Sequence, residues 1–144
     1  MSIRPLDGIT VVSLEHAIAA PFCTRQLADL GARVIKVERP GGGDFARGYD
    51  TQVEGLCSHF VWVNRSKESL TLDLKQPAAI AILKTLLKTA DVLVQNLAPG
   101  AAARMGLTAD ILQKENPKLK RILNKNYAKL DIDPSKLVAL VNLI

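Results

Sequence analysis

Six cationic side chains ahead of the C-terminal stretch, Arg39, Arg47, Arg65, Lys67, Lys75 and Arg104, have the chemistry to neutralise a phosphorylated ligand. Arginine adds a planar fork suited to bidentate phosphate contacts. Arg39, Lys75 and Arg104 each fall just after a predicted strand or where a loop passes into a helix, so they would act together if the fold gathered them at one sheet edge. Solvated surface charge explains the same spacing equally well. Arg39 is followed by Pro40-Gly41-Gly42-Gly43, a glycine run that by itself indicates only a turn. His16 stands at the mouth of the predicted first strand, where an imidazole can donate to a ligand or poise a proton; a structural hydrogen-bonding role is the commoner one for a lone histidine. His59, inside the apolar run HFVWV, reads as a satisfied core or interface residue. Asp131 and Asp133 lie beside Pro134, where helix capping or simple exposure outweighs catalysis. The Ser, Cys and His residues form no recognisable nucleophile motif. Cys23 and Cys57 are too few for a disulfide framework and are not spaced for a metal, so both are expected as free thiols in or near the core.

Positioning these side chains requires alternating strands and helices. Leu27 to Gly31 (LADLG) reads as a helix end with Gly31 in the left-handed cap. Arg33 to Glu38 (RVIKVE) follows as a short, mostly buried strand with Arg33, Lys36 and Glu38 outward. Upstream, Ile9 to Leu14 (ITVVSL) is a β-branched run typical of a central parallel strand. Small residues from Ala17 to Ala20 lead to Pro21 in the first turn of a helix whose apolar face is Phe22, Leu27 and Leu30. Such a turn lets a ligand approach the backbone and the helix N-terminus, yet no G-x-G-x-x-G is present. Asp44 to Leu56 reads as a long loop, HFVWV as a short helix or a strand, and Asn64 to Glu68 as a polar turn. Ser69 to Leu74 (SLTLDL) alternates with period two, a strand with one wet face. Pro77 opens a helix through Ala90, with Lys84 and Lys88 on its outer face. Asp91 to Gln95 is a further buried strand, Ala101 to Met105 a short helical piece, and Thr108 the expected cap of a helix to Glu115. Leu119 to Leu123 is a possible last strand, and Lys136 to Ile144 a final apolar helix. The fold class is α/β with an open parallel sheet, whose ligands sit beyond the carboxyl ends of the strands.

With 144 residues, 48% of them hydrophobic, the chain suits one domain with an ample core. No apolar run approaches the roughly 20 residues a membrane span needs, and MSIRPLDG lacks the apolar centre of a signal peptide, so a cytoplasmic location is expected, the mitochondrial matrix being the other compartment open to it. The formal charge is +5, but its distribution argues against nucleic acid. Up to Gln113 twelve Lys and Arg face eleven Asp and Glu, whereas from Lys114 onward seven face three. Aromatic residues make up only 4%, which leaves no stacking platform.

Four blocks, PLDGITVVSLEH, APFCTRQLADLGARVIKVERPGGGDFARG, NRSKESLTLDLK and ADVLVQNLAPGAAARMGL, in this order and spacing, resemble the N-terminal part of the family III CoA-transferases, which include formyl-CoA transferase and carnitine CoA-transferase. The second and third blocks resemble most the branch handling succinyl-CoA with citramalate or mesaconate. The resemblance covers Arg4 to Leu119. It implies a Rossmann-like parallel sheet with helices on both faces, binding coenzyme A or acyl-CoA as a substrate without a metal. Position by position, it implies CoA contacts at Ile18 and Ala19, at Arg39, along Leu72, Asp73, Leu74 and Lys75, at Asn96, Leu97 and Ala98, and at Arg104 with Met105 beside the adenine; His16 would lie near the acyl end.

The departures from the family pattern are as informative. Members commonly carry Phe and then a polar or basic residue where this chain has Leu97-Ala98. After Asn-Pro-Lys-Leu the family continues into a glycine-rich segment and an aspartate that attacks the acyl-CoA thioester, forming an anhydride and then an enzyme-CoA thioester. Here Lys120-Arg121-Ile122-Leu123-Asn124 and an unrelated ending follow instead. The expectation is therefore a partial CoA-transferase-like nucleotide-binding domain over residues 1–119 and a divergent tail over 120–144. That chain would lack the nucleophile, the second domain and the returning segment that interlocks the family's homodimer, and would be inactive alone and prone to self-association. An α-methylacyl-CoA racemase-like fragment and a non-catalytic module that binds CoA or another subunit are the alternatives. The acid acceptor and acyl-CoA donor would be small molecules, with no nucleic acid and no membrane partner.

Overall fold

The computed structural model describes residues 4–123. β1 (Thr10–Leu14), β2 (Arg33–Glu38), β3 (Lys67–Thr71), β4 (Val92–Gln95) and β5 (Lys120–Leu123) form one five-stranded sheet in the order β3-β2-β1-β4-β5. Every pairing in it is parallel, with Val12 opposite Ile35 and Leu93, and Val94 opposite Ile122. The chain builds outward from β1 to β3, then crosses to the other side of β1 for β4 and β5, which leaves a topological switch between β1 and β4.

The helices cover both faces of this sheet. On one face α1 (Ala19–Asp29) packs through Ala20, Leu27 and Ala28 on Val11, Val34 and Val94, and α2 (Ser58–Asn64) lies beside it. On the other, α3 (Pro77–Leu87), α4 (Ala101–Arg104) and α5 (Ala109–Glu115) enclose Val12, Leu14, Val37 and Leu93 with Leu83, Leu87, Leu107 and Leu112. Covered on both faces, central strands tolerate a near-continuous apolar run, and Val11 to Leu14 are all buried. Gly31 closes α1 at φ +110°; a Cβ there would meet Asp7 Oδ1 at 2.7 Å and Arg4 Cβ at 2.8 Å.

Several expectations need correction. Lys36 and Glu38 are not outward but only 2% and 5% exposed, because α2 and the segment after β2 cover that face and supply their partners. The third strand starts at Lys67, two residues earlier than its alternation suggests, and ends at Thr71, so Leu72 and Leu74 lie past it. HFVWV is helical, in α2. The segment from Asp44 to Leu56 carries a 3-10 turn at Phe45–Gly48 and an isolated antiparallel bridge between Val53 and Leu56. α3 ends at Leu87 rather than Ala90, and Thr108 precedes α5 without a side-chain capping bond. The expected polar stretch 124–133, Asp131, Asp133 and the helix 136–144 lie outside the described residues. No described helix is long and apolar enough to cross a membrane.

Candidate functional site

A cleft of about 500 Å³ opens at the carboxyl edge of the sheet. Each wall comes from a chain segment leaving a strand: Leu14, Glu15 and His16 after β1, Val37, Glu38 and Arg39 at the end of β2, Leu72 to Lys75 after β3, and Leu97 after β4. Ala101, Arg104 and Met105 of the α4 region complete it. Parallel strands all point their carboxyl ends the same way, so residues far apart in sequence meet there, at the switch point. The cleft thus brings together Arg39, Lys75 and Arg104, together with His16, Leu72, Asp73, Leu74, Leu97 and Met105. Ile18, Ala19, Asn96 and Ala98 do not line it. Ile18 is the N-terminal flanking residue of α1 and 52% exposed, Ala19 is the first residue of that helix, and Ala98 lies exposed in the loop before α4.

The other three cations expected as candidates are committed elsewhere. Arg47 forms a two-bond pair with Glu38, both at 2.8 Å, and stacks over Phe60 with its guanidinium carbon 3.9 Å from the ring centre. Arg65 pairs with Asp29 at 2.7 Å. Lys67 is buried and donates to Glu15 at 2.8 Å, to the Pro21 carbonyl at 2.8 Å and to Asn64 at 3.1 Å. Burial pushes the Lys67 ammonium down to about 8, against the pull of Glu15. Beside it Lys36 donates to Asp44 at 2.7 Å and to Asn64 at 2.9 Å. Buried charges of both signs are thereby paired beneath the cleft, as burial requires.

Glu38 sits where this ionic layer meets the cleft. Burial would raise its carboxyl, but the Arg47 fork, the Asp44 N–H at 3.0 Å and the nearby Lys36 together hold it at about 2. Arg39 turns its Nε to the Gly43 carbonyl at 2.8 Å, which ties the glycine loop back on itself. Asn96 uses both ends of its amide on the His16 backbone, accepting from the N–H at 2.9 Å and donating to the carbonyl at 2.8 Å. The His16 ring stacks on Phe45 with centres 5.6 Å apart, and its Nδ1 is buried without a protein partner among the described residues. Burial pushes the His16 imidazole below its usual range; Asp44 pulls the other way, while Lys36 and Arg39 add to the fall. The ring thus stands in a cleft whose lining holds three cations, Arg39, Lys75 and Arg104, and three carboxylates, Glu15, Glu38 and Asp73. His59 is not satisfied as expected: its Nε2 is buried with no hydrogen-bond partner among the described residues. Among the described residues, no group of three or more His, Cys, Asp or Glu side chains is gathered as metal ligands.

Sequence reasoning missed the ionic layer. Glu15, Lys36, Asp44, Asn64 and Lys67 come from five segments, and no local spacing announces that they meet. The one available signal was charge inside otherwise apolar runs, at Lys36 and Glu38.

Comparison with known proteins matches this arrangement to one family. The sequence profile described as CoA-transferase family III fits residues 6–127. A formyl-CoA:oxalate CoA-transferase from Rhodopseudomonas palustris (strain TIE-1) is 44% identical over 117 residues, 81% of this chain and 28% of that protein. A succinyl-CoA:glutarate CoA-transferase from Mus musculus is 41% identical over 117 residues, 81% of this chain and 27% of its own length. Among solved structures, a CAIB/BAIF family protein from Brucella suis superposes with a TM-score of 0.77 at 35% identity, covering 85% of this chain and 33% of that one. A hypothetical protein from Mycobacterium tuberculosis (Rv3272) gives 0.79 at 36%, covering 91% and 36%. The chain spans less than a third of the length of these curated relatives. On the profile match across 6–127, the chain belongs to CoA-transferase family III.

Proposed function

We propose that the cleft binds coenzyme A, as the CoA-binding part of an enzyme that moves CoA between an acyl-CoA and a carboxylic acid. The observation that carries this reading is the convergence of Arg39, Lys75 and Arg104 on one cleft at the switch point, while Arg47, Arg65 and Lys67 are held in ion pairs. Three cations on a concave wall suit a ligand with several phosphate groups. Leu72, Leu74, Leu97 and Met105 supply the apolar lining that an adenine ring and a pantetheine arm need. Lys75 neutralises the phosphates, while Asp73 accepts the Lys75 N–H at 3.1 Å and steadies the turn that carries it. Ile18 and Ala19, outside the cleft lining, offer backbone at the start of α1, and Leu97, with Ala98 just beyond the lining, borders the acyl arm. The curated relatives named as transferases, 41 to 44% identical, favour transfer over the racemase reading.

Isothermal titration of the chain with CoA tests the site. Arg39→Ala and Arg104→Ala are each expected to weaken binding about tenfold, the loss of one charge-assisted phosphate contact. Unchanged affinity in both variants would remove the assignment. We read the 144-residue chain as unable to transfer by itself, because residues 120–144, of which the family profile matches only those up to 127, do not carry the family's glycine-rich segment and nucleophilic aspartate. Incubation with succinyl-CoA and a dicarboxylic acid is expected to give no new thioester, and turnover by the pure chain would overturn that reading.

A further inference from the structure

Ala17 adopts φ +62° between β1 and α1, a left-handed conformation that a residue with a Cβ keeps only when its surroundings enforce it. Side chains remote in sequence do so here. Asn96, the residue after β4, grips the His16 N–H and carbonyl. From the other side, Asp44 Oδ1 accepts the Ala17 N–H at 3.2 Å and the Ala46 N–H at 3.0 Å, while its Oδ2 takes Lys36 Nζ at 2.7 Å. Asp44 is fully buried. One carboxylate therefore ties the β1-to-α1 turn, the 3-10 turn bearing Phe45, and the middle of β2.

We propose that Asp44 is a positioning residue for the cleft: it holds residues 16–18 in the left-handed turn that presents His16 and the start of α1 to the ligand, and sets Phe45 against the His16 ring. The consequence for affinity rests on the CoA-binding reading; the consequence for the turn does not. The competing role is charge balance for Lys36, which needs no contact with Ala17.

Two charge-neutral pairs separate the roles. Lys36→Met with Asp44→Asn removes both charges but keeps an oxygen facing the Ala17 and Ala46 amides. Lys36→Met with Asp44→Ala removes the oxygen as well. In the ligand-free chain, the Ala17 backbone amide resonance and the His16 ring resonances are expected to stay near their parent positions in the first pair and to move in the second. CoA affinity is expected to stay within about threefold in the first and to fall about tenfold in the second. Adding Ala17→Gly to the alanine pair should restore affinity, since glycine takes positive φ without a tether. The proposal is overturned if both pairs move the Ala17 resonance alike, if neither does, or if glycine gives no rescue. Should the alanine pair not fold, a displaced Ala17 resonance in the asparagine pair overturns it and a retained one supports it. Absence of CoA binding by the parent chain would sink the CoA reading, and the ligand-free resonances would still decide the role of Asp44.

Discussion

Gly43 shows how much one residue of the glycine run matters. It sits at φ +59°, and a Cβ there would fall on Glu38 Oε2 and lie 2.9 Å from Arg47 Nε. Neither atom can yield without breaking the Glu38 and Arg47 pair, which is buried on the carboxylate side. Gly43→Ala is therefore expected to cost about 2 kcal/mol or more, the strain of a positive φ plus a damaged buried pair. Gly41, at φ +76° with nothing within 4 Å of an added Cβ, should lose only the backbone term, about 1 kcal/mol, on replacement by alanine. Urea denaturation of both variants checks the order, and equal losses would show that the pair is not what makes Gly43 necessary. The sequence marked three glycines alike; which of them is crowded depends on where Glu38 and Arg47 point, and that is not a local property.

At the scale of elements, legibility followed the covering of each face. β1, β2 and β4 are central strands whose β-branched runs survive in sequence because both faces are dry, and α3 shows its helical period through Leu83 and Leu87. α2 gave no such period, since in seven residues only Val63 is buried, while Val61 and Trp62 are exposed. β3 is an edge strand with a mixed burial pattern, and the leucine alternation that pointed to it continues past its end into the cleft wall at Leu72 and Leu74. Arg39, Lys75 and Arg104 were legible because carboxyl ends of parallel strands can be counted off in sequence; Leu72, Leu74, Leu97 and Met105 came only with the family resemblance, and the ionic layer beneath them required the tertiary fold. Leu83 lies at 0% exposure in the core of the α3 face, so Leu83→Ala is expected to destabilise the chain by about 2 to 5 kcal/mol. Thermal unfolding followed by circular dichroism measures it, and a loss below about 1 kcal/mol would mean that this face is not the packed core described.

The two faces of the whole molecule are held by different physics. The α3 face is a cluster of leucine, valine and alanine side chains, indifferent to pH. The α1 and α2 face contains the ionic layer, and three of its carboxyls titrate below their ordinary values. Glu38 is held at about 2, as argued above. Asp44 is lowered: burial opposes the fall, and the Lys36, Ala46 and Ala17 bonds outweigh it. Asp50 is held at about 2 by the Gln52 and Ser58 amides, the Ser58 hydroxyl and Cys57. A carboxyl whose folded value is depressed contributes stability that is complete above its unfolded value and is lost as pH falls toward the folded one. For Glu38 the window runs from the ordinary 4.5 down to about 2, and the contribution is on the order of 3 kcal/mol. Acid should therefore loosen the α2 face before the leucine face. Trp62, the one tryptophan of the chain, lies in α2 with its ring 5.4 Å from Phe22 and the Arg25 guanidinium 5.5 Å above it, so it reports on that face alone. Titration from pH 5 to pH 2 is expected to shift Trp62 emission at a higher pH than the loss of far-ultraviolet ellipticity, with Glu38→Gln flattening the Trp62 profile. Coincident transitions would mean that the sheet and both its faces unfold as one unit, and that the ionic layer sets no separate limit on stability.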